Sequence, residues 1–230
     1  METKQIQDNK EWYNHSYERM FDRANYEMRP SEFYHSLIGL FKPEQQSAIL
    51  DVGCGPGQFC GCCANYKEFT AIYGIDISDT AIEYAKSAWP EPCKFLTSIA
   101  EKIEFPDKFF DYVTCIGSLE HFVDIPKALE EMKRVAKDDA RFIILLPNRL
   151  FPFAETEQQE IAELLLTRKE WIKLLNDNGF KIIGQYKDYG AVKKAGWLSW
   201  AFWLYLKLMP ISLTYGIIFE AVKYENHGRK

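Results

Sequence analysis

Residues 51–63, DVGCGPGQFCGCC, combine residue types and spacing that could do chemistry. The stretch contains four glycines and four cysteines in thirteen positions. Glycines in a turn between a strand and a helix let a ligand approach the backbone closely. Closely spaced cysteines suggest instead a metal site or a redox-active thiol. The spacing within the stretch helps to choose between these two interpretations.

The glycines follow the pattern D-x-G-x-G-x-G, formed by Asp51, Gly53, Gly55 and Gly57. The dinucleotide-binding pattern is G-x-G-x-x-G, and Gln58 stands where its third glycine would be. An acid so close to the loop would repel a pyrophosphate, whereas it suits a cation. The loop therefore disfavours a nicotinamide oxidoreductase and favours a ligand with a cationic portion.

A second acid, Asp76, ends the apolar segment that follows the glycine loop. In a nucleotide-binding βαβ unit, an acid about 20 residues beyond the glycines accepts hydrogen bonds from the ribose hydroxyls. The two acids together indicate a ligand with a ribose and a cationic portion but without a pyrophosphate. S-adenosylmethionine has these features.

The cysteines fit packing better than metal binding. On a helix Cys60 and Cys63 share a face, whereas Cys62 points away from it. A structural zinc site normally uses paired short spacings on separate turns, which Cys54 and these three do not form. Small side chains suit a helix packed tightly against a sheet. We expect buried packing, with a metal or thiol-reactive role as the alternative.

The surrounding sequence alternates between short apolar segments and amphipathic ones, which predicts strands and helices in turn. This alternation is typical of an α/β, Rossmann-like, doubly wound fold with a mostly parallel sheet. We predict a helical cap over residues 1–46 and one domain over 47–230. The predicted strands are SAILDVG, TAIYGIDIS, CKFLTSI, FDYVTCIG, RFIILLP, KIIGQYKDY and TYGIIFEAVKYE.

Four stretches resemble the successive motifs of class I S-adenosylmethionine-dependent methyltransferases: ILDVGCGPGQFC, YGIDIS, EFPDKFFDYVTCIGSLEHFVD and RFIILLPN. The resemblance covers roughly residues 47–190. It implies a seven-stranded, mostly parallel sheet with an antiparallel last strand. It also implies methyl transfer from S-adenosylmethionine to an acceptor, with S-adenosylhomocysteine as the second product.

The same resemblance implies cofactor contacts by position. The glycine loop would hold the methionine part, Asp76 the ribose hydroxyls, and Ile77 the adenine. Ile99 stands where the family often places an acid for the adenine amino group, so the backbone of Ala100 or neighbouring Ser98 would take that role. The implied cofactor-binding set is Asp51, Gly53, Cys54, Gly55, Gly57, Asp76, Ile77, Ile99, Ala100, Ile116 and Gly117.

The SLEHFVD segment follows the fourth strand, where the transferred methyl group should lie. The unperturbed pKa of histidine lies near neutral pH, so His121 could act as a general base for a hydroxyl or amine acceptor. The alternative is that it positions the helix or the cofactor.

The segment also resembles quinone-biosynthesis O-methyltransferases, whose E-x-x-E-H motif holds a divalent metal. Gly117 stands where the first glutamate would be, so we predict no metal.

Acceptor specificity should come from the two ends of the chain. Tyr13, Tyr17, Arg29 and Tyr34 are candidates for a lid over the cofactor, with core packing as the alternative. A hydrophobic insertion is predicted over 191–213, between the last two strands. Its part 197–213 has three tryptophans and a single charge. That part could pack in the domain or in a homodimer interface, cover an apolar acceptor, or lie on a membrane surface.

Composition narrows the class of acceptor and the compartment. The 230 residues carry a net charge of −5, with no dense basic stripe and no N/D-P-P-Y/F motif, so no nucleic-acid partner is expected. The polar N-terminus has no secretion signal, which predicts a cytoplasmic protein with reduced cysteines.

The expected acceptor is a small, apolar or lipid-like molecule methylated at O or N. The alternatives are a methyltransferase for macromolecules and a non-catalytic, cofactor-binding partner subunit.

Overall fold

The computed structural model describes residues 2–22, 29–152, 163–189, 204–205 and 207–224. In this part of the chain, one seven-stranded sheet lies between helices. The strands are β1 Ser47–Val52, β2 Phe69–Asp76, β3 Cys93–Thr97, β4 Phe110–Ile116, β5 Ala136–Pro147, β6 Phe180–Asp188 and β7 Gly216–Lys223. The helices are α1 Glu2–Phe21, α2 Ser31–Phe41, α3 Gln58–Cys63, α4 Asp79–Ala88, α5 Ile125–Val135 and α6 Arg168–Asp177.

The strand order is β3-β2-β1-β4-β5-β7-β6. The β1–β2, β2–β3, β1–β4 and β4–β5 pairs are parallel, and β7 runs antiparallel to both β5 and β6. The predicted doubly wound, Rossmann-like α/β fold with an antiparallel last strand is therefore confirmed. The connections leave β1 in one direction and β4 in the other, which opens a crevice at their carboxyl ends.

Two apolar cores cover the two faces of the sheet. Along β1, Leu50 and Val52 point into the core beneath α5 and α6, whereas Ile49 points into the core beneath α2, α3 and α4. This alternation is the two-residue period of a strand. Because both faces are covered, every residue of β1 is buried, and its carboxyl end is held rigidly at the crevice.

The helix starts follow the capping signals in the sequence. The Ser78 hydroxyl accepts a hydrogen bond from the Ala81 backbone N–H at 3.1 Å and caps α4. At α6, Thr167 and Glu170 form a reciprocal capping box. These caps fix where α4 and α6 begin relative to the strands before and after them.

All six cysteines are free and buried. Cys60 and Cys63 on α3 are at most 1% exposed and belong to the core beneath α2, α3 and α4. Burial raises the pKa of both thiols well above its usual range, so they stay protonated. These contacts are those of packing side chains, in line with the packing interpretation of the cysteine-rich stretch.

The two ends of the chain are described only in part. The N-terminal region contributes α1 and α2 to the predicted cap. Residues 190–203 and 206, which include most of the predicted hydrophobic insertion and all three of its tryptophans, lie outside the described residues. Within the described ranges, no helix combines the length and apolar character that crossing a bilayer requires.

We predict opposite effects from two glycine-to-alanine substitutions. A Cβ at Gly61 would overlap the Trp89 ring, so Gly61→Ala should lower the free energy of unfolding by about 1–3 kcal/mol. Gly39 is an exposed position of α2 with no atom within 4 Å of an added Cβ, so Gly39→Ala should raise the free energy of unfolding by about 0.5–1 kcal/mol. Urea denaturation measures both. Equal stability of the two variants would contradict the tight packing of α3 on Trp89.

Candidate functional site

A cavity of about 340 Å³ lies at the carboxyl ends of β1, β2 and β4. The glycine loop after β1 and the turn after β4 line it from the sheet, and α1 forms another wall. Most residues singled out in the sequence meet here. Those lining the cavity are Asp51, Gly53, Cys54, Gly55, Asp76, Ile77, Ile99, Ala100, Ile116, Gly117, His121, Tyr13, Tyr17 and Tyr34.

Gly57 and Arg29 lie outside the cavity lining. Gly57 has φ +82° and precedes α3, and a side chain there would meet the Phe95 ring at 2.8 Å. Arg29 donates two hydrogen bonds, of 2.6 and 2.8 Å, to Asp188 at the end of β6. Its guanidinium also lies 4.4 Å from the centroid of the Phe33 ring. The described contacts of Arg29 thus anchor the N-terminal region to the sheet.

Asp76 links the glycine loop to the end of β2. Its Oδ2 accepts from the Gly55 N–H and its Oδ1 from the Ser78 N–H, both at 2.9 Å. Burial raises the pKa of this carboxyl, and the backbone N–H groups of Ser78, Gly55 and Ile77 oppose that rise. A carboxylate offers about four acceptor sites. The Asp76 carboxylate therefore keeps acceptor capacity for a ligand in the cavity.

The glycine loop is held by further backbone contacts. The N–H groups of Gly53 and Cys54 both donate to the Ile75 carbonyl, at 2.8 and 2.9 Å. Gly53 has φ +73°, and an added Cβ would lie 2.5 Å from the Ser118 Cβ. Only glycine satisfies both conditions at that position. The loop backbone is thereby presented to the cavity in one conformation.

Asp51 places a second buried carboxyl at the end of β1. Burial raises its pKa to about 7, a hydrogen bond from the Thr114 hydroxyl lowers it, and the charge of Asp76 raises it. The Thr114 Oγ1 donates to Asp51 Oδ1 at 2.6 Å. Two carboxyls converging in a buried site favour a positively charged ligand, which would stabilise both in the ionised form.

One face of α1 lines the cavity. Each of these residues has another three or four positions away, as on one face of a helix. They are Ile6, Asn9, Trp12, Tyr13, Ser16, Tyr17 and Met20. Sequence analysis identified Tyr13 and Tyr17 from their residue type alone. The same helical spacing would also have identified the others.

Polar and aromatic contacts hold α1 against α4. The Asn14 Oδ1 accepts from the Ser78 hydroxyl at 2.7 Å, and Lys10 pairs with Asp79 at 2.7 Å. The Phe21 and Tyr84 rings stack with centroids 4.1 Å apart. Of the lid candidates, Tyr34 is 6% exposed and belongs to the core. Tyr13 lines the cavity, and burial, followed by the charges of Asp76 and Glu120, raises its pKa.

Glu120 and His121 lie on a short 3-10 turn, Leu119–His121, after β4. His121 lines the cavity, and its ring meets the edge of Tyr13 at 6.1 Å between centroids. Burial lowers the pKa of His121 to about 4, so the imidazole is neutral near pH 7. Burial, together with the charge of Glu163, raises the pKa of Glu120 to about 8. The SLEH segment, singled out in the sequence, contains both Glu120 and His121, whereas Glu163 lies outside it and was not predicted.

The residues after β3 line another side of the cavity. Ser98, Ile99 and Ala100 are among its lining residues, and the Ser98 hydroxyl donates to the Lys102 carbonyl at 3.2 Å. Glu101 is buried and accepts from the N–H groups of Val123 and Asp124, at 2.9 and 3.2 Å. This acid, which the sequence analysis missed, joins the segment after β3 to the segment that leads into α5.

Residues 50–144 match the family described as methyltransferase domain. The chain is 33% identical over 101 residues to the uncharacterized methyltransferase YcgJ of Bacillus subtilis, covering 42% of this chain and 39% of that protein. It is 28% identical over 113 residues to a demethylmenaquinone methyltransferase of Bacteroides fragilis, covering 47% and 46%. The matches span less than half the length of these curated relatives.

Solved structures share the fold over most of the chain. The complex of the Haloferax volcanii Trm112 methyltransferase activator with a methyltransferase contains a chain that matches with a TM-score of 0.72 and 16% identity, covering 97% of this chain and 100% of that one. The Bacillus subtilis YcgJ structure matches with a TM-score of 0.60 and 20% identity, covering 84% and 98%. At these identities the likeness concerns the fold.

We predict that Thr114→Val raises the pKa of Asp51 above its value of about 7, because the substitution removes the donor that favours the carboxylate. Thr114→Ser keeps the hydroxyl and should leave the pKa unchanged. Carbon-detected NMR titration of the aspartate carboxyls measures both variants. An Asp51 pKa that is equal in the valine and serine variants would contradict this account of the site.

Proposed function

We propose that this chain is an S-adenosylmethionine-dependent methyltransferase. The family match and the methyltransferase relatives support the reaction class. The observation that carries the proposal is the pair of buried carboxyls, Asp51 and Asp76, on either side of a glycine loop in one cavity. A pyrophosphate would be repelled there, whereas a cationic amino acid joined to a ribose is complementary.

Three groups of residues would hold the ribose, the methionine part and the adenine of the cofactor. Asp76 would accept from the ribose hydroxyls with the acceptor capacity that its backbone contacts leave free. Asp51 and the backbone of Gly53, Gly55 and Gly117 would hold the methionine part. Ile77, Ile99 and Ala100 would lie against the adenine. Gly57 would act through the loop conformation, since it lies outside the cavity lining.

S-adenosylmethionine supplies a methyl group on a positively charged sulfur. The protein's task is then to align the acceptor with the carbon–sulfur bond and to exclude water. The aromatic face of α1 would provide that alignment for an apolar acceptor, since Trp12, Tyr13 and Met20 line the same cavity as His121.

The role of His121 as a general base stays a prediction. A base works best when its pKa lies near the operating pH, and burial places this one at about 4. The residue's contact with Tyr13 and its place in the lining are equally suited to positioning the acceptor.

The expected acceptor is a small molecule with an oxygen or nitrogen nucleophile. The quinone-methylating relatives agree with an apolar one.

A partner subunit is the second candidate. The Haloferax volcanii neighbour, which spans 97% of this chain, was solved with a methyltransferase activator. This chain would then act in a complex with another protein. The non-catalytic alternative keeps cofactor binding and lacks product formation. A homocysteine-release assay, run with and without candidate activators, separates the catalytic from the non-catalytic case.

Calorimetric titration with S-adenosylmethionine and S-adenosylhomocysteine tests the central proposal. The wild type should bind both, and Asp76→Asn should bind roughly 10–100-fold more weakly because a charged acceptor for the ribose is lost. The surface variant Asp177→Asn is the matched control and should bind like the wild type. Failure of the folded wild type to bind either ligand would refute the proposal.

The pH dependence of binding tests the role of Asp51. A bound cation favours the carboxylate, and the pKa of Asp51 is about 7, so binding below that pH must release a proton. The affinity for S-adenosylmethionine should therefore fall as the pH is lowered below 7, by up to about tenfold per pH unit. Uncharged methylthioadenosine should show a flatter profile. Equal slopes for the two ligands would contradict contact between Asp51 and the cation.

A further inference from the structure

Three potential metal ligands meet beside the cavity. Glu120 and His121 come from the turn after β4, and Glu163 comes from the segment that leads into α6. One ligand atom from each residue lies within 4.8 Å of the other two. The backbone holds the two segments together, because the Leu164 N–H donates to the Glu120 carbonyl at 2.9 Å.

The cluster contains buried polar atoms that other described residues leave unpaired. Glu120 Oε2 and His121 Nδ1 are both buried, and neither has a hydrogen-bond partner in the described part of the chain. The Glu120 side chain is 5% exposed, and its Oε1 lies 3.9 Å from His121 Nε2, too far for a hydrogen bond. Burying such a group without a partner is unfavourable, and more so when it is charged.

Two carboxyls approach each other in a partly buried site, and the charge of Glu163 opposes ionisation of Glu120. Such a pair resists ionisation unless a cation is bound. A divalent cation held by one atom of each side chain would offset the two negative charges. Buried charged groups in proteins are usually paired or coordinate metals.

We propose that Glu120, His121 and Glu163 form a binding site for a divalent transition-metal ion, of which Mn²⁺ and Zn²⁺ fit the ligands. Two carboxylate oxygens with one imidazole nitrogen suit these ions better than Mg²⁺ or Ca²⁺, which prefer oxygen ligands. In tetrahedral or octahedral geometry, neighbouring ligand atoms bound at about 2.0–2.2 Å lie roughly 2.8–3.6 Å apart. Ligand atoms that are now up to 4.8 Å apart would therefore move together by up to about 1–2 Å when the ion binds.

This site departs from the sequence prediction of no metal. That prediction followed from Gly117, which stands where an E-x-x-E-H motif would have its first glutamate. Here the third ligand comes from Glu163, in a different segment between β5 and α6. Residue spacing around the SLEH segment could not identify it, because the ligand set is completed only in the folded chain.

The position of the site suggests its substrate class, an inference that rests on the proposed function. Three protein ligands leave coordination positions for an acceptor oxygen, and His121 lines the cavity. A divalent cation lowers the pKa of a hydroxyl that it coordinates. The acceptor would thus be a hydroxyl compound that loses its proton to water before it attacks the methyl carbon. His121 would then hold the ion, and the general-base role would not be needed.

Metal titration of the tag-free, chelator-treated protein tests the site, with Mn²⁺ and Zn²⁺ as separate probes. Calorimetry measures binding, and the loss of the free Mn²⁺ resonance signal checks it independently. The wild type should bind one ion per chain. Glu163→Gln and Glu120→Gln should weaken binding by at least about tenfold, and Glu130→Gln, an exposed glutamate, should bind like the wild type.

S-adenosylhomocysteine binding by the same samples separates the two proposals. Glu163→Gln should keep it, which shows that the variant is folded even if the more deeply buried Glu120→Gln is not. Absence of binding of both ions to the wild type, or undiminished binding to Glu163→Gln, would overturn the metal site. Metal binding lost in Glu163→Gln, with no S-adenosylhomocysteine binding by the wild type, would uphold the metal site and refute the proposed function.

Discussion

The hydrogen bonds of the Asp76 carboxylate organise the cavity. This group lies at the end of a buried strand and accepts from the backbone of the glycine loop on one side and from the start of α4 on the other. It therefore fixes the loop, the adjacent helix start and, through the contact of Ser78 with Asn14, the position of α1. The cost of burying the charge is offset by the backbone donors, which also make the loop conformation specific.

The site is defined by acids more than by any nucleophile. Asp51, Asp76 and Glu120 are all at most 7% exposed, and burial raises the pKa of each. Cys60 and Cys63 of α3 contribute packing instead, since their buried thiols stay protonated. A cavity with this charge distribution favours cationic partners at two places: the loop, where the proposed cofactor would lie, and the turn after β4, where the proposed metal would lie.

Local signals made the sheet and most of the cavity predictable from the sequence. Strand segments, the capping box at Thr167 and the glycine loop depend on neighbouring residues, and the fold preserves them. Arg29 was expected at the cavity, yet it pairs with Asp188 on a strand at the far edge of the sheet. Glu163 likewise reaches the site through a long-range contact. Sequence spacing carries no information on either pairing, because each depends on how distant segments pack.

The docking of α1 couples the cavity to the stability of the N-terminal region. The helix supplies one whole wall, so anything bound in the cavity touches both the helix and the sheet. By thermodynamic reciprocity, the free energy that a ligand gains from α1 equals the extra free energy that holds α1 in place while the ligand is bound. Ligand binding and attachment of the first helix are thus coupled equilibria, and each favours the other.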